Sequence, residues 1–505
     1  MNNRITNVGA DTYVCWWKDV AGHLGGIYPF LDEGDPTMAS LDIGRIIAAK
    51  RARGVTVELD PVGLVTKATL PYLLGDRTLL KGVRRAPWMA LPEEDGTWTP
   101  VDLPPHGHER PDPARFTREL KEALLDEARA YNIGYSGTVG ILLSGGMDSR
   151  VVAGVVRALQ EETDGAFTVV GLTWGRETSR DVIYARRIVE RFGWEWRHFP
   201  ITADTLEENI RHAARLGAEV SPLHLHAMPQ VTKLEGVDVV LAGSYGDSVG
   251  RAEFSGQHVT ELKSILPGHG DRFGVVRSNA LRIAGDAMRN DASVLPHAMD
   301  DASPLRRHEI EQQKHYMRRM LQSCMQSIAF EKPLYQMFTT PDVFGRMWRL
   351  DPSVRNNDWY RWLLPALPGD LLSIPWARTG KRYDEPSGNP DSHERQYHSY
   401  GAWLRGELRD IVSQRVKSDR IKALGLFNER GLNLALRAWC HAGISCTNSL
   451  DELFSWIATL DEFLEIYDIE PERPMFEPAF ADRLRAFLGG IHAALYVAAW
   501  ELRGD

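Results

Sequence analysis

VGILLSGGMDS, residues 139–149, passes from an unbroken apolar run into a small-residue turn, and the periodic VVAGVVRAL follows at 151–159. A short run of Val, Ile and Leu with no polar alternation marks a strand buried on both faces, and the spacing after it marks a helix. A strand that turns straight into a helix points the free N–H groups of the first helical turn at an anion. Leu143 ends the strand, and Gly145 and Gly146 let the backbone approach such an anion without a Cβ in the way. Ser144 and Ser149 add hydroxyl donors, and Asp148 supplies a hard oxygen for Mg2+.

The spacing is not that of the phosphate loop with a Lys before its Ser or Thr, nor G-x-G-x-x-G. Working outward, FTVVGLT (167–173) reads as a second buried strand, DVIYARRIVERF (181–192) as a helix and WEWRHFPI (194–201) as another strand. VDVVLA (237–242) is a further apolar run closing in GSYGDS. Strand and helix alternate, so the expected class is α/β, a parallel sheet flanked by helices. Ligands in such folds gather at the carboxyl ends of strands. At the second end, Leu172 and Thr173 are expected to hold an adenine edge through the backbone. The third end carries Gly243 and Asp247, and Asp148 and Asp247 converging from two strand ends would bind Mg2+ bridging triphosphate oxygens.

The chain of 505 residues, 43% hydrophobic, has material for two or three domains. Its formal net charge of -9 argues against a polyanion as main partner, so nucleic acid is a minor hypothesis. Cys15, Cys324, Cys440 and Cys446 are scattered and form neither a disulfide framework nor C-x-x-C pairs, which suits a reducing cytoplasm. The run IHAALYVAAW (491–500) is too short to span a bilayer, so no membrane role is expected. Residues 1–110 read as a small β-rich domain ending in the linker-like LPPHGHERPDP, 111–420 as the α/β domain, and 421–505 as a helical extension. His224 and His226 form an H-x-H without a recognisable third ligand, read as a pocket wall. Cys440, His441 and Cys446 are read as burial on a helix, and the Arg84, Arg306 and Arg318 pairs as solvated faces.

SGGMDS (144–149) resembles the loop of the ATP pyrophosphatases, which cleave ATP between its α and β phosphates. In the order SGGMDS, LTWGRETSRDVIYARRIVERFGWEWRHF and VVLAGSYGDS, the chain is similar to the synthetase domain of the asparagine synthetase family. EKPLYQMF (331–338), RTGKRY (378–383), YGAWLRGELRDIV (400–412) and LGDRTLLKGVRRAPWMAL (74–91) extend the resemblance over about residues 65–415. It implies the adenine nucleotide α-hydrolase type of five-stranded parallel sheet, ATP and Mg2+ as cofactors, and a carboxylate adenylated and passed to an amine or ammonia. It also makes Lys381 the catalytic candidate, arriving on a lid-like Gly-, Pro- and Ser-bearing stretch with help from Arg378.

The chain departs from that family in three places. It begins Met1, Asn2, Asn3, without the nucleophilic Cys of a glutaminase half, and GGIYPFLDEGDPTMASLDIGRII (25–47) resembles only the last strands of that half. Nitrogen is then expected as free ammonia, from a separate ammonia-supplying subunit, or as a substrate amine. Ser244 stands where the family has a Glu near the acyl group, with Tyr245 beside it. β-Lactam synthetases use a Tyr near this place as a base, so Tyr245 is a candidate base, with hydrogen bonding or packing as the alternative. Glu331 and Gln336 replace Arg and Asp, so the acid and the amine stay open, from asparagine to a specialised metabolite. A homodimer stays open too. The rivals are a tRNA-modifying adenylase and a catalytically silent ATP-binding protein.

Overall fold

A computed structural model describes the chain apart from residues 1–19, 27, 94–96, 132–136, 267–269, 295–302, 384, 443–446 and 504–505, so Cys15 and Cys446 lie outside the described residues. Three short strands, β1 (Phe30–Asp32), β2 (Asp35–Ser40) and β3 (Val83–Arg85), make an antiparallel sheet in the order β2-β1-β3. β4 (Ala90–Pro92) and β5 (Trp98–Pro100) form a hairpin beside it. The central sheet contains β6 (Thr138–Leu142), β7 (Thr168–Trp174), β8 (Glu195–Phe199), β9 (Val239–Ala242) and, after the small hairpin of β10 (Glu253–Phe254) and β11 (Gln257–His258), β12 (Leu334–Gln336). It is parallel throughout, in the order β12-β9-β6-β7-β8. This is the α/β parallel sheet that the alternating pattern implied, with the five strands that the resemblance implied.

β6 lies in the middle because both of its faces are apolar, and helices cover both sides, as parallel strands require. The helix Met147–Glu162 buries Val151, Val152, Val155 and Val156 against it. The helix Pro113–Ala130 starts at Asp112, whose carboxylate accepts from the Arg115 N–H, and buries Phe116, Leu120 and Leu124. With β6 and β9 adjacent, the turns that follow them face each other at one end of the sheet.

The packing does not respect a boundary at 110 or at 420. One core joins Leu24, Tyr28, Trp88 and Met89 to Leu120, Val152 and Trp348. A second joins Ile46, Leu64 and Leu80 to Ile210, Leu404, Trp456 and Leu464. The linker-like stretch before Pro113 is tied down as well: Gly107 N–H donates to the Trp348 carbonyl and Glu109 bridges Arg349 and Asp351. Proline and histidine composition suggested a free connection, but its backbone groups are hydrogen-bonded to a distant segment. Helices dominate beyond residue 400, ending in Glu429–Cys440, Ser449–Ile466 and Phe480–Arg503. Among the described residues no helix is long and apolar enough to cross a membrane.

Candidate active site

The turn after β6 closes on itself through hydroxyls. Gly146 N–H donates to Ser144 Oγ at 3.1 Å, and Ser149 Oγ donates to the Ser144 carbonyl at 3.1 Å. Gly146 caps the helix Met147–Glu162 without a side-chain hydrogen bond, so the first helical N–H groups are not satisfied by a capping side chain. Gly145 works differently from its expected role. A Cβ there would lie 2.7 Å from the Ala377 Cβ, so this glycine is needed for the approach of the 371–377 segment. Arg150, fully buried, fixes that segment by donating to the carbonyls of Gly145, Leu371, Ile374 and Pro375.

Asp148 and Asp247 meet as the sequence implied. They are hydrogen-bonded to each other; Asp148 also receives the Tyr360 hydroxyl, and Asp247 is paired with Arg251. Burial, then the Asp247 charge, pushes the Asp148 carboxyl well above the usual range. Burial acts upward on Asp247 too, but its hydrogen bond with Asp148 and the Arg251 charge hold it below. Two carboxyls competing for one proton beside an anion-binding turn are a suitable donor pair for a hard cation, which would let both ionise. The residues present therefore fit Mg2+. Among the described residues no group of three or more His, Cys, Asp or Glu is placed to hold a metal by itself.

Two connected chambers open around this turn. The first, about 370 Å³, is lined by Leu143, Ser144, Gly146, Asp148, Ser149 and Gly243, with Trp174, His224 and Ser244 opposite. The second, about 340 Å³, shares Ser144, Gly146, Asp148 and Asp247 and brings in Arg251, Arg378 and Arg395. Asp181 and Tyr397 border both. Burial raises Asp181 to about 6, partly offset by the Gly145 N–H that it accepts.

Four expected site residues lie elsewhere. Leu172 and Thr173 are buried in β7, the Leu172 carbonyl accepts from the Leu143 N–H, and Trp174 is the residue of this strand end that borders the chamber. Tyr245 is fully buried, its hydroxyl donates to the Leu24 carbonyl at 3.3 Å, and burial drives its ionisation well above the usual phenol value. It is not the base. In the turn that follows β9, Ser244 borders the chamber while Tyr245 is packed in the core. Lys381 lies beyond the chamber walls, where its Nζ donates to the Pro386 carbonyl at 3.2 Å; Arg378 borders the Arg-lined chamber and pairs with Glu253 at 2.9 Å.

Tyr360, Arg251, Asp181, Trp174 and Tyr397 escaped the sequence reading. Arg251 was recoverable, standing one helical turn after Asp247. Tyr360 was not, because 212 residues separate it from its partner. His224 and His226 do line the chamber, with separate partners: His224 Nε2 lies 2.8 Å from Glu452 Oε1, and His226 Nδ1 2.7 Å from the Tyr400 hydroxyl. Cys440 is half-buried at a helix end and His441 bonds the Arg437 carbonyl.

The turn after β6 is thus faced, at one end of a parallel sheet, by paired carboxylates and three arginines. Residues 121–341, less than half of the chain, match the family model described as asparagine synthase, and the match supports an ATP-dependent, ligase-type enzyme. No curated protein matches it. Similar solved structures include the U34-tRNA thiolase of Methanococcus maripaludis, 13% identical over 64% of this chain and 77% of that one, with a TM-score of 0.25. The NMN synthetase of Francisella tularensis is 15% identical over 44% and 93%, TM-score 0.19. The glutamine-dependent NAD+ synthetase of Acinetobacter baumannii is 17% identical over 41% and 47%, TM-score 0.20.

Proposed function

We propose that the protein is an amide-forming ligase that adenylates a substrate carboxylate, releases pyrophosphate and passes the acyl group to an amine or ammonia. The observation that carries this reading is the Asp148–Asp247 pair set between a Ser-Gly-Gly turn and an arginine-lined chamber, with a second chamber on the other side. The helical N–H groups and Ser144 hold phosphate oxygens, and Arg378 and Arg395 offset their charge. Tyr360 orients Asp148, Arg251 orients Asp247, and Arg150 locks the turn against the 371–377 segment. Mg2+ held by Asp148 and Asp247 would draw charge from the departing pyrophosphate. Lys381 is proposed to stabilise the developing charge when its loop closes over the site.

The test is pyrophosphate release from ATP across a panel of carboxylic acids, with ammonium and simple amines as acceptors. Release with at least one acid is expected, and Asp148→Asn should abolish it without lowering the unfolding temperature, because the substitution removes one of two competing carboxyls. No release with any acid would leave a silent nucleotide binder. Undiminished release in Asp148→Asn would remove the carboxylate pair from the chemistry.

A further inference from the structure

A third cavity, about 480 Å³, adjoins the first chamber and shares His224 and Met320 with it. Much of its wall comes from outside the matched family region, from residues 67–71, 447–453, Trp456, Tyr496 and Trp500. Phe273, Leu453, Trp456 and Tyr496 give it an apolar, largely aromatic lining.

Two polar groups in that lining are buried without the partners their chemistry calls for. Lys67 is 5% exposed, and of its three donors one is used, on the Pro71 carbonyl at 2.7 Å; among the described residues no carboxylate bonds it. Burial lowers its ammonium to about 8. Its ammonium stands 5.8 Å from the centroid of the Trp456 ring and feels the Glu452 charge, yet a buried cation with no carboxylate bonded to it is expensive, and an anion delivered by a ligand lowers that cost. Asn448 is 6% exposed; its Oδ1 accepts the Leu450 N–H at 2.9 Å, while its Nδ2 has no partner among the described residues.

The opposite charge stands at the passage between the cavities. Glu452 receives Ser221 Oγ at 2.6 Å and lies 2.8 Å from His224 Nε2. Burial would raise this carboxyl, but His224 and the hydrogen bonds bring it below the usual range, so it is an anion at neutral pH. Glu452 and Lys67 are close enough to interact. A cavity with an aromatic wall, an anion at its mouth and a cation with unused donors beside it matches an α-amino acid, or a molecule ending in one, with an apolar side chain.

We propose that this cavity binds the amine substrate: its ammonium at the Glu452–His224 pair, its carboxylate at Lys67 and its side chain among Phe273, Leu453 and Trp456. In that position the nitrogen lies at the boundary with the first chamber, where the ligase reading, on which this proposal rests, places the activated acyl group.

Calorimetry with L-phenylalanine, phenethylamine and phenylacetate on the full chain tests it. L-phenylalanine should bind at least ~10-fold more tightly than either analogue, since each loses one charge-assisted contact. Lys67→Met, similar in shape, should erase the preference over phenethylamine, and Glu452→Gln the preference over phenylacetate. No binding of L-phenylalanine, or preferences that survive both substitutions, would overturn the proposal. ATP binding measured on the same samples separates the two readings. Nucleotide binding without L-phenylalanine binding sinks only the amine site, whereas L-phenylalanine binding without nucleotide binding sinks the ligase and leaves an amino-acid site.

Discussion

Gly246→Ala is the sharpest probe of how the two carboxylates meet. Gly246 precedes Asp247 and lies against Asp148 from the neighbouring strand end; a Cβ there would sit 2.5 Å from Asp148 Cγ and 2.7 Å from its Cβ. Carbon atoms rest at about 3.5–4.0 Å, so the Asp148 side chain has to retreat by about 1 Å. The backbone at Gly246 is not in the left-handed region, so the strain is purely this overlap. Overpacking of this kind costs about 1–3 kcal/mol, and a misplacement of about 1 Å at a reacting centre costs about 10²-fold in rate. The expected variant is folded, with a modest drop in unfolding temperature, and its pyrophosphate release falls by about two orders of magnitude. Gly285→Ala is the control: its nearest neighbour is Arg289 Nη1 at 3.6 Å on an ordinary helix, so activity should stay and stability rise by up to about 1 kcal/mol. Wild-type turnover in Gly246→Ala would refute the reasoning, because the overlap is unavoidable if Asp148 acts where it stands.

Arg150→Met strands the carbonyls of Leu371, Ile374 and Pro375 and should cost at least ~3 kcal/mol in denaturant titration while releasing the 371–377 segment and lowering turnover. Asp181 titrates near 6, above its unfolded value of 3.8, so the stability it confers is full below about pH 4 and is lost as pH rises through 6. Asp181→Asn should therefore raise the unfolding temperature at neutral pH and leave it unchanged at pH 4. Lys381→Ala should bind ATP as the parent does and form no amide; a large loss of nucleotide affinity would move Lys381 out of the catalytic role.

The fold was largely legible because its signals are local. Unbroken apolar runs at 139–143 and 237–242 are what parallel strands buried on both faces must show, and the turn residues followed them directly. Asp148 and Asp247 were legible for the same reason: each is the carboxylate nearest a strand end. What escaped depends on long-range packing. Tyr360 and Glu452 reach the site from distant helices, and neither has a periodicity that announces its target. Tyr245 shows the limit from the other side, since one residue exchanged chamber for core inside a turn beyond the end of β9, where no strand period sets the direction. Lys381 has a loop composition that suits closure, but composition does not say where an amine rests.

The interleaving of the two cores bears on how the molecule is made. The apolar face of residues 43–47 and that of 59–80 are covered by helices some four hundred positions later in the chain. During synthesis those faces emerge long before their covers, so a nascent chain stalled before residue 449 would carry an exposed greasy surface and lack one wall of the third cavity. Shortening from the carboxyl side should thus bring aggregation rather than a smaller working enzyme, and chaperone occupancy on the ribosome should persist until the helix 449–466 has emerged.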